Sequence, residues 1–258
     1  MYYDTAISTQ AHIVEQLISA MVATVGMTFL FAFSFLMAES LSRRAFPHHI
    51  QFWNLWSPSA AASPQVLGQT VGGYLLIGPM FAFVVGFYHL NSQLLDWWNP
   101  SSALFEPNVL AAYFPWLSSI AISLQAGFWE ECLFRAIPLA GAAMLGQRYG
   151  RPRLWIAGAF LIQMVIFGAA HANYPAQPAY ARVVELLIPS AVFGFLYLRF
   201  GLLPAIVMHF AYDVVWFAMP LFVAESPGLL IDQALVIALA FIPLAVPIIY
   251  RWKQGAWK

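Results

Sequence analysis

Three short clusters hold the residues of this sequence that can accept or donate a proton within apolar surroundings. The first is Glu130-Glu131-Cys132-Leu133-Phe134-Arg135, the second Phe167-Gly168-Ala169-Ala170-His171, and the third His209-Phe210-Ala211-Tyr212-Asp213. Glu131 and Arg135 are four apart, so on a helix they share a face and pair, with the acid on the favourable N-terminal side. Glu130 lies about 100° round the helix and does not share that bond. One carboxylate is thereby neutralised while its neighbour stays available to draw a proton from water as a general base. His209 and Asp213 also share a face; an Asp bonded to one ring nitrogen fixes the tautomer and leaves the other nitrogen to act on water, metal or substrate. The competing reading of the acids and Arg135 is a buried ion network kept for packing, and of each histidine a helix-to-helix hydrogen bond. Cys132 has acidic and apolar neighbours rather than the base and cations a thiol nucleophile needs, so it reads as a packing residue.

The elements that position these clusters must be membrane helices. The chain has 258 residues, 62% of them hydrophobic, and only 9% carry a charge. A soluble domain is about 25% charged, so a soluble monomer is excluded. The 17% aromatic content excludes intrinsic disorder. Long unbroken apolar runs, rather than alternating segments of about ten residues, exclude a transmembrane β-barrel. The expected fold class is an all-α, polytopic transmembrane helical bundle forming a single integral membrane domain over residues 1–258. Eleven basic residues balance eleven acidic ones, and they are too scattered for a nucleic-acid surface. A single cysteine rules out an intramolecular disulfide and any multi-cysteine metal site. The N-terminus lacks the basic region of a cleavable signal peptide, so the first span is expected to be retained.

Apolar runs long enough to cross the bilayer fall at 17–38, 71–88, 155–170, 183–198, 202–217 and 229–250. Residues 54–69, rich in Ser, Ala and Pro, read as a loop or surface-lying segment. Residues 108–146 are too long for one simple span. If they cross once, every Lys and Arg except Arg135 and Arg182 falls on one side. The positive-inside rule then predicts seven crossings with a cytoplasmic C-terminus, eight being the alternative. The surplus before Glu130 is then a re-entrant or interfacial helix, or the start of one long tilted one. Trp53, Trp56, Trp97, Trp98 and Trp252 suit an interfacial aromatic belt. Glu185 and Asp232 fall in the first turns of their spans and read as interfacial, and His12, His48, His49 and His89 lie at span ends or in loops. Counted from Arg148 along a helix, Glu130 lies about 27 Å away. His171 is similarly far from the start of its own span, so both sit towards the face opposite the basic residues.

The three clusters, in this order, resemble the CPBP family of intramembrane proteases. That family includes the type II CAAX prenyl endopeptidases and bacteriocin-processing, immunity and lysostaphin-resistance-like proteins. Its pattern is Glu-Glu-x-x-x-Arg, then Phe-x-x-x-His, then His-x-x-x-Asn/Asp. Gly194, Tyr197, Arg199 and Leu202 before His209 also look like the family, and the likeness covers about residues 128–217, within a protease core of about 108–217. The resemblance implies an intramembrane endopeptidase in which Glu130 activates water. His171, His209 and Asp213 then position that water or stabilise the oxyanion, while Glu131, Arg135 and Phe167 support them. Two positions depart from the family: Ala136 replaces a common Gly, and Asp213 stands where Asn is frequent, adding a charge that a proton or cation must balance.

No cofactor is expected as the first reading, because the His-Glu-x-x-His spacing of many zinc proteases is missing. The alternative is Zn²⁺ held by Glu130, His171 and His209. The partners implied are membrane lipid and a membrane-protein or lipopeptide substrate, and the expected location is a bacterial or archaeal cell membrane. CAAX endopeptidases act from the cytosolic side, which conflicts with the depth reading above. Two other function classes compete: a proton-coupled transporter, which uses the same residue types but lacks inverted repeats here, and a non-catalytic scaffold or immunity protein.

Overall fold

The computed structural model of the protein describes residues 6–98, 109–174 and 176–255. Their regular elements are helices, and an isolated antiparallel bridge joins Trp98 to Gln177. Helix α1 (Thr9–Ala45) begins at Ser8, whose side chain accepts from the Ala11 amide, and ends with Arg43 and Arg44 in its last turn. Both ends therefore suit the helix dipole and its unpaired amides. At 37 residues it is about 55 Å long, more than the bilayer core requires. Its apolar side chains, such as Val22, Phe29, Phe33 and Leu36, face outward. A short 3₁₀ turn (Phe52–Trp56) and the single-turn α2 (Pro58–Ala61) lead to α3 (Pro64–Leu75) and α4 (Ile77–Leu94).

Helix α3 starts inside the segment expected to be a loop. Ser63 accepts from the Val66 amide and Pro64 occupies the first turn, a start signal that outweighs the polar composition of the segment.

The long charged segment is contiguous helix: α5 (Pro115–Gln125), a π-helical stretch (Ala126–Ala136) and α6 (Ile137–Tyr149). The surplus before Glu130 is thus the first part of one long helix. Then follow α7 (Pro152–Ala170), α8 (Ala181–Phe200), α9 (Leu202–Val223), α10 (Leu229–Ala240) and α11 (Ile242–Gln254). Five helical stretches are long and apolar enough to cross a membrane: α1, α3 with α4, α7, α8 and α9. A sixth arises if α10 and α11, bent by 58°, count as one. Seven or eight crossings are therefore not reproduced by length and composition. The helix over residues 115–149 is not among those that qualify; it carries Glu130, Glu131, Arg135 and Arg148.

Helix α9 runs through the middle. Its residues Pro204 to Ala211 are all buried, and it packs against α3, α5, α8, α10 and the π-helical stretch. The basic helix ends gather together. Ala45 of α1 packs against Ala140 and Ala143 of α6, the His49 ring donates to the Leu198 carbonyl at 3.3 Å, and α11 touches α2. Arg43, Arg44, Arg148, Arg151, Arg153, Arg199, Arg251 and Lys253 therefore share one end of the bundle, as a single traverse by residues 115–149 requires; Lys258 lies outside the described residues. Trp53, Trp98 and Trp252 stay exposed, whereas Trp97 packs against Phe87 and Tyr180.

The bend between α10 and α11 has a local cause. Pro243 in the first turn of α11 has no amide hydrogen and interrupts the helical ladder. The Leu244 amide turns to Phe241, and the Ala240 carbonyl accepts instead from the Tyr74 hydroxyl at 2.6 Å. Tyr74→Phe should leave that carbonyl unpaired and cost about 1–3 kcal/mol, measured as a lower unfolding midpoint in detergent.

Candidate active site

The π-helical stretch is where the two adjacent carboxylates are set. Its wide geometry is explicit at its end, where the Ile137 amide bonds to Cys132, five residues back. Pro138 follows directly; in an α-helix its ring would press on the carbonyl four residues earlier, and a widened turn relieves that crowding. Gly127 lets the stretch lie against α9: a Cβ there would be 2.7 Å from the Phe210 amide nitrogen and 2.9 Å from its Cα. His209 is therefore brought beside Glu130 and Glu131 by a backbone-to-backbone approach.

Both nitrogens of His209 meet carboxylates. Nδ1 lies 2.8 Å from Glu131 Oε1. Nε2 lies 3.9 Å from Glu130 Oε2 and 3.6 Å from Asp213 Oδ2. Glu131, and not Asp213 as the helix spacing predicts, makes the short bond that orients the ring. Asp213 instead shares the Nε2 side with Glu130. Helix spacing alone sees only partners within α9 and misses one from the neighbouring helix. His171, at the C-terminal cap of α7, uses Nδ1 to donate to the Phe167 carbonyl at 2.8 Å. Since a carbonyl only accepts, this fixes the tautomer and turns Nε2 towards Glu130 Oε2, 3.6 Å away. That oxygen has no hydrogen-bond partner within the protein.

Behind this set lies a fully buried ion pair. Arg135 Nε is 3.5 Å from Glu131 Oε2, and neither side chain is exposed. The guanidinium carbon sits 3.8 Å from the Phe167 ring centre and 5.0 Å from that of Phe193, a cation–π clamp. Arg135 Nη2 reaches the Ser190 hydroxyl at 3.5 Å, and that hydroxyl donates to Gln163 Oε1 at 2.8 Å. The Gln163 amide donates in turn to the Ser190 carbonyl at 3.3 Å. Gln163, Ser190 and Phe193 were missed in the sequence; an uncharged amide in the apolar run of α7 was the available signal. Cys132 is fully buried among Ala38, Ala136 and Leu139, as a packing residue is.

Glu130, His171, His209 and Asp213 line one cavity of about 210 Å³, large enough to hold water with polar partners. Its other walls mix apolar side chains such as Met80, Val84 and Ile122 with the polar Gln125, Tyr174, Tyr212, Arg182 and Glu185. Glu185, near the start of α8, is only 2% exposed. Two neighbours satisfy it there. Arg182 bonds to it at 2.6 Å, and the Tyr88 hydroxyl donates to it at 2.9 Å. Asp232 is half-buried and accepts from the Trp116 amide at 3.3 Å, capping the start of α5 from α10. The cavity lies at the end of α7 away from Arg151 and Arg153, as the depth count predicts.

Glu130, His171 and His209, the set considered for zinc, line the same cavity. No group of three His, Cys, Asp or Glu side chains among the described residues is arranged to hold a metal ion. The Nδ1 atoms of His171 and His209 are held by the Phe167 carbonyl and Glu131, and their Nε2 atoms stand 3.6 and 3.9 Å from Glu130 Oε2.

Truncating Glu131 leaves a buried guanidinium without its carboxylate. Glu131→Ala should therefore destabilise the protein by about 3–5 kcal/mol, read as a drop in the unfolding midpoint far exceeding that of Glu130→Ala.

Comparison with curated proteins and with solved structures gave no match. Comparison with protein families gave the Rce1-like model, type II CAAX prenyl endopeptidase Rce1-like, over residues 112–215. The matched region runs from just before α5 to within α9 and contains Glu130, Glu131, Arg135, His171, His209 and Asp213. The match spans about two fifths of the chain, and over this region the protein is similar to the Rce1-like type II CAAX prenyl endopeptidases.

Proposed function

We propose that this protein hydrolyses a peptide bond in a membrane-associated protein or lipopeptide by means of a water molecule activated by Glu130. The observation that supports it is Glu130 Oε2, without a hydrogen-bond partner and facing Nε2 of both His171 and His209 in a cavity between the helices. Separations of 3.6 and 3.9 Å are too long for direct hydrogen bonds, yet one small molecule between the groups can contact all three.

Glu130 takes one proton of the water, and His171 Nε2, an acceptor because Nδ1 is engaged, receives a hydrogen bond from the other. The hydroxide oxygen attacks the scissile carbonyl. His209, in the form carrying protons on both ring nitrogens, donates from Nε2 to the developing oxyanion, with Glu131 holding Nδ1 and Asp213 balancing the charge. When the C–N bond breaks, Glu130 passes its proton to the departing amine. The products are a carboxylic acid and an amine, between which the second proton of the water then passes, and the enzyme is regenerated. With the basic helix ends on the cytoplasmic side, the cavity lies in the outer half of the membrane.

Glu130→Ala should lower hydrolysis by about 10²–10⁴-fold while leaving the unfolding midpoint within about 1 kcal/mol of wild type. Quantitative proteomics of membranes from cells carrying either form supplies the substrate; identical peptide profiles from two equally folded proteins would refute the protease reading.

No metal is needed in this scheme. Protein stripped by a chelator and shown to be metal-free should cleave at the wild-type rate, whereas a loss of activity restored by zinc would establish the metal-dependent alternative.

A further inference from the structure

A second cavity, of about 690 Å³, shares no lining residue with the one holding Glu130. It is a groove between α3 and the junction of α8 with α9, at the basic end of the bundle. Along α3 its character grades from polar to apolar: Gln65 and Gln69 first, then Gly72, then Leu75. Gly68 and Gly72 form its floor, and a Cβ at either position would meet nothing within 4 Å. Such a stripe is the kind that helices use for close packing in membranes, but here no helix of the described residues lies on it.

Two further observations say what fits. Gln69 is only 8% exposed; its amide nitrogen donates to the Phe200 carbonyl at 3.2 Å, and its buried Oε1 has no partner. An acceptor in that state calls for a donor from outside the fold. At the polar mouth stand Arg199 and His48, both exposed, and no carboxylate lines the groove. His49 closes the end as a neutral ring, because burial, with His48 beside it, pushes its imidazole down to about 4. The groove thus offers a cation at the interface, one hydrogen-bond acceptor just below it and an apolar trough beneath.

We propose that this groove is a binding site for an anionic phospholipid with a hydroxylated headgroup. The phosphate sits at Arg199 and His48, a headgroup hydroxyl donates to Gln69 Oε1, and an acyl chain lies over Gly68 and Gly72 against Leu75 and Leu196.

The test uses the full-length protein in detergent, titrated with phosphatidylglycerol, phosphatidylcholine or glycerol phosphate while the unfolding midpoint is followed. Phosphatidylglycerol should raise the midpoint saturably, and the other two should do so weakly. Gly72→Leu, which fills the trough without a clash and replaces a poor helix former with a good one, should abolish the effect without lowering the lipid-free midpoint. Gly68→Leu, a second filling variant, should do the same. Arg199→Gln should weaken phosphatidylglycerol about fivefold. An unchanged phosphatidylglycerol effect in both glycine variants would overturn the proposal. So would an equal response to glycerol phosphate, which would mark a free-phosphate site. A detergent-stable dimer that Gly72→Leu separates, with no lipid effect, would assign the groove to a second copy of the chain and equally overturn it.

Discussion

A guanidinium sealed inside a membrane protein needs a countercharge beside it, and the arrangement around Arg135 follows from that requirement. Leaving such a charge unpaired costs several kcal/mol, and water is not available to help. Glu131 supplies the countercharge, the rings of Phe167 and Phe193 cover its faces, and Ser190 offers an oxygen. Those partners belong to the π-helical stretch, α7 and α8. Glu131 then hands its second oxygen to His209 on α9. The need to solvate one cation therefore fixes four helical segments relative to one another, and the cavity is what those segments leave between them.

The two adjacent carboxylates divide the work because of their surroundings. Glu131 is consumed by structure: one oxygen faces the arginine, the other the histidine. Glu130 has no such cation and turns its free oxygen to the cavity. A widened helical turn makes this possible, since it lets neighbours in sequence address opposite edges of one imidazole ring. Gly127 makes the same approach possible in the backbone, where any side chain would meet Phe210. Orientation of both histidines is settled through Nδ1, by a carboxylate in one case and a helix-terminal carbonyl in the other. The two Nε2 atoms are therefore directed before any substrate arrives.

Much of this was legible in the sequence, and the failures share a cause. The apolar runs named the solvent, and i,i+4 spacing paired Glu131 with Arg135. The ordered clusters selected Glu130, His171, His209 and Asp213, which one cavity brings together. Spacing rules, however, see only one helix at a time. They gave His209 a partner on its own helix when the short bond comes from another. They also could not show that Glu185 is buried within the protein, because nothing local announces Tyr88, a residue from α4, as its donor. Composition likewise misjudged the start of α3, where a two-residue cap signal decided the matter. The π-helical geometry has no residue pattern of its own and emerges from Pro138 on one side and packing on the other.

The order of these parts along the chain carries a consequence for synthesis. Glu130 and Glu131 enter the membrane first, His171 follows on α7, and His209 with Asp213 arrives only on α9. Until that helix is in place, Gly127 has no backbone to rest against and Glu131 has only its arginine. A partly made chain thus holds Glu130 and His171 without the His209 ring that completes the pocket. The cavity is completed only when α9, the last of its helices to be made, takes its place against the earlier ones.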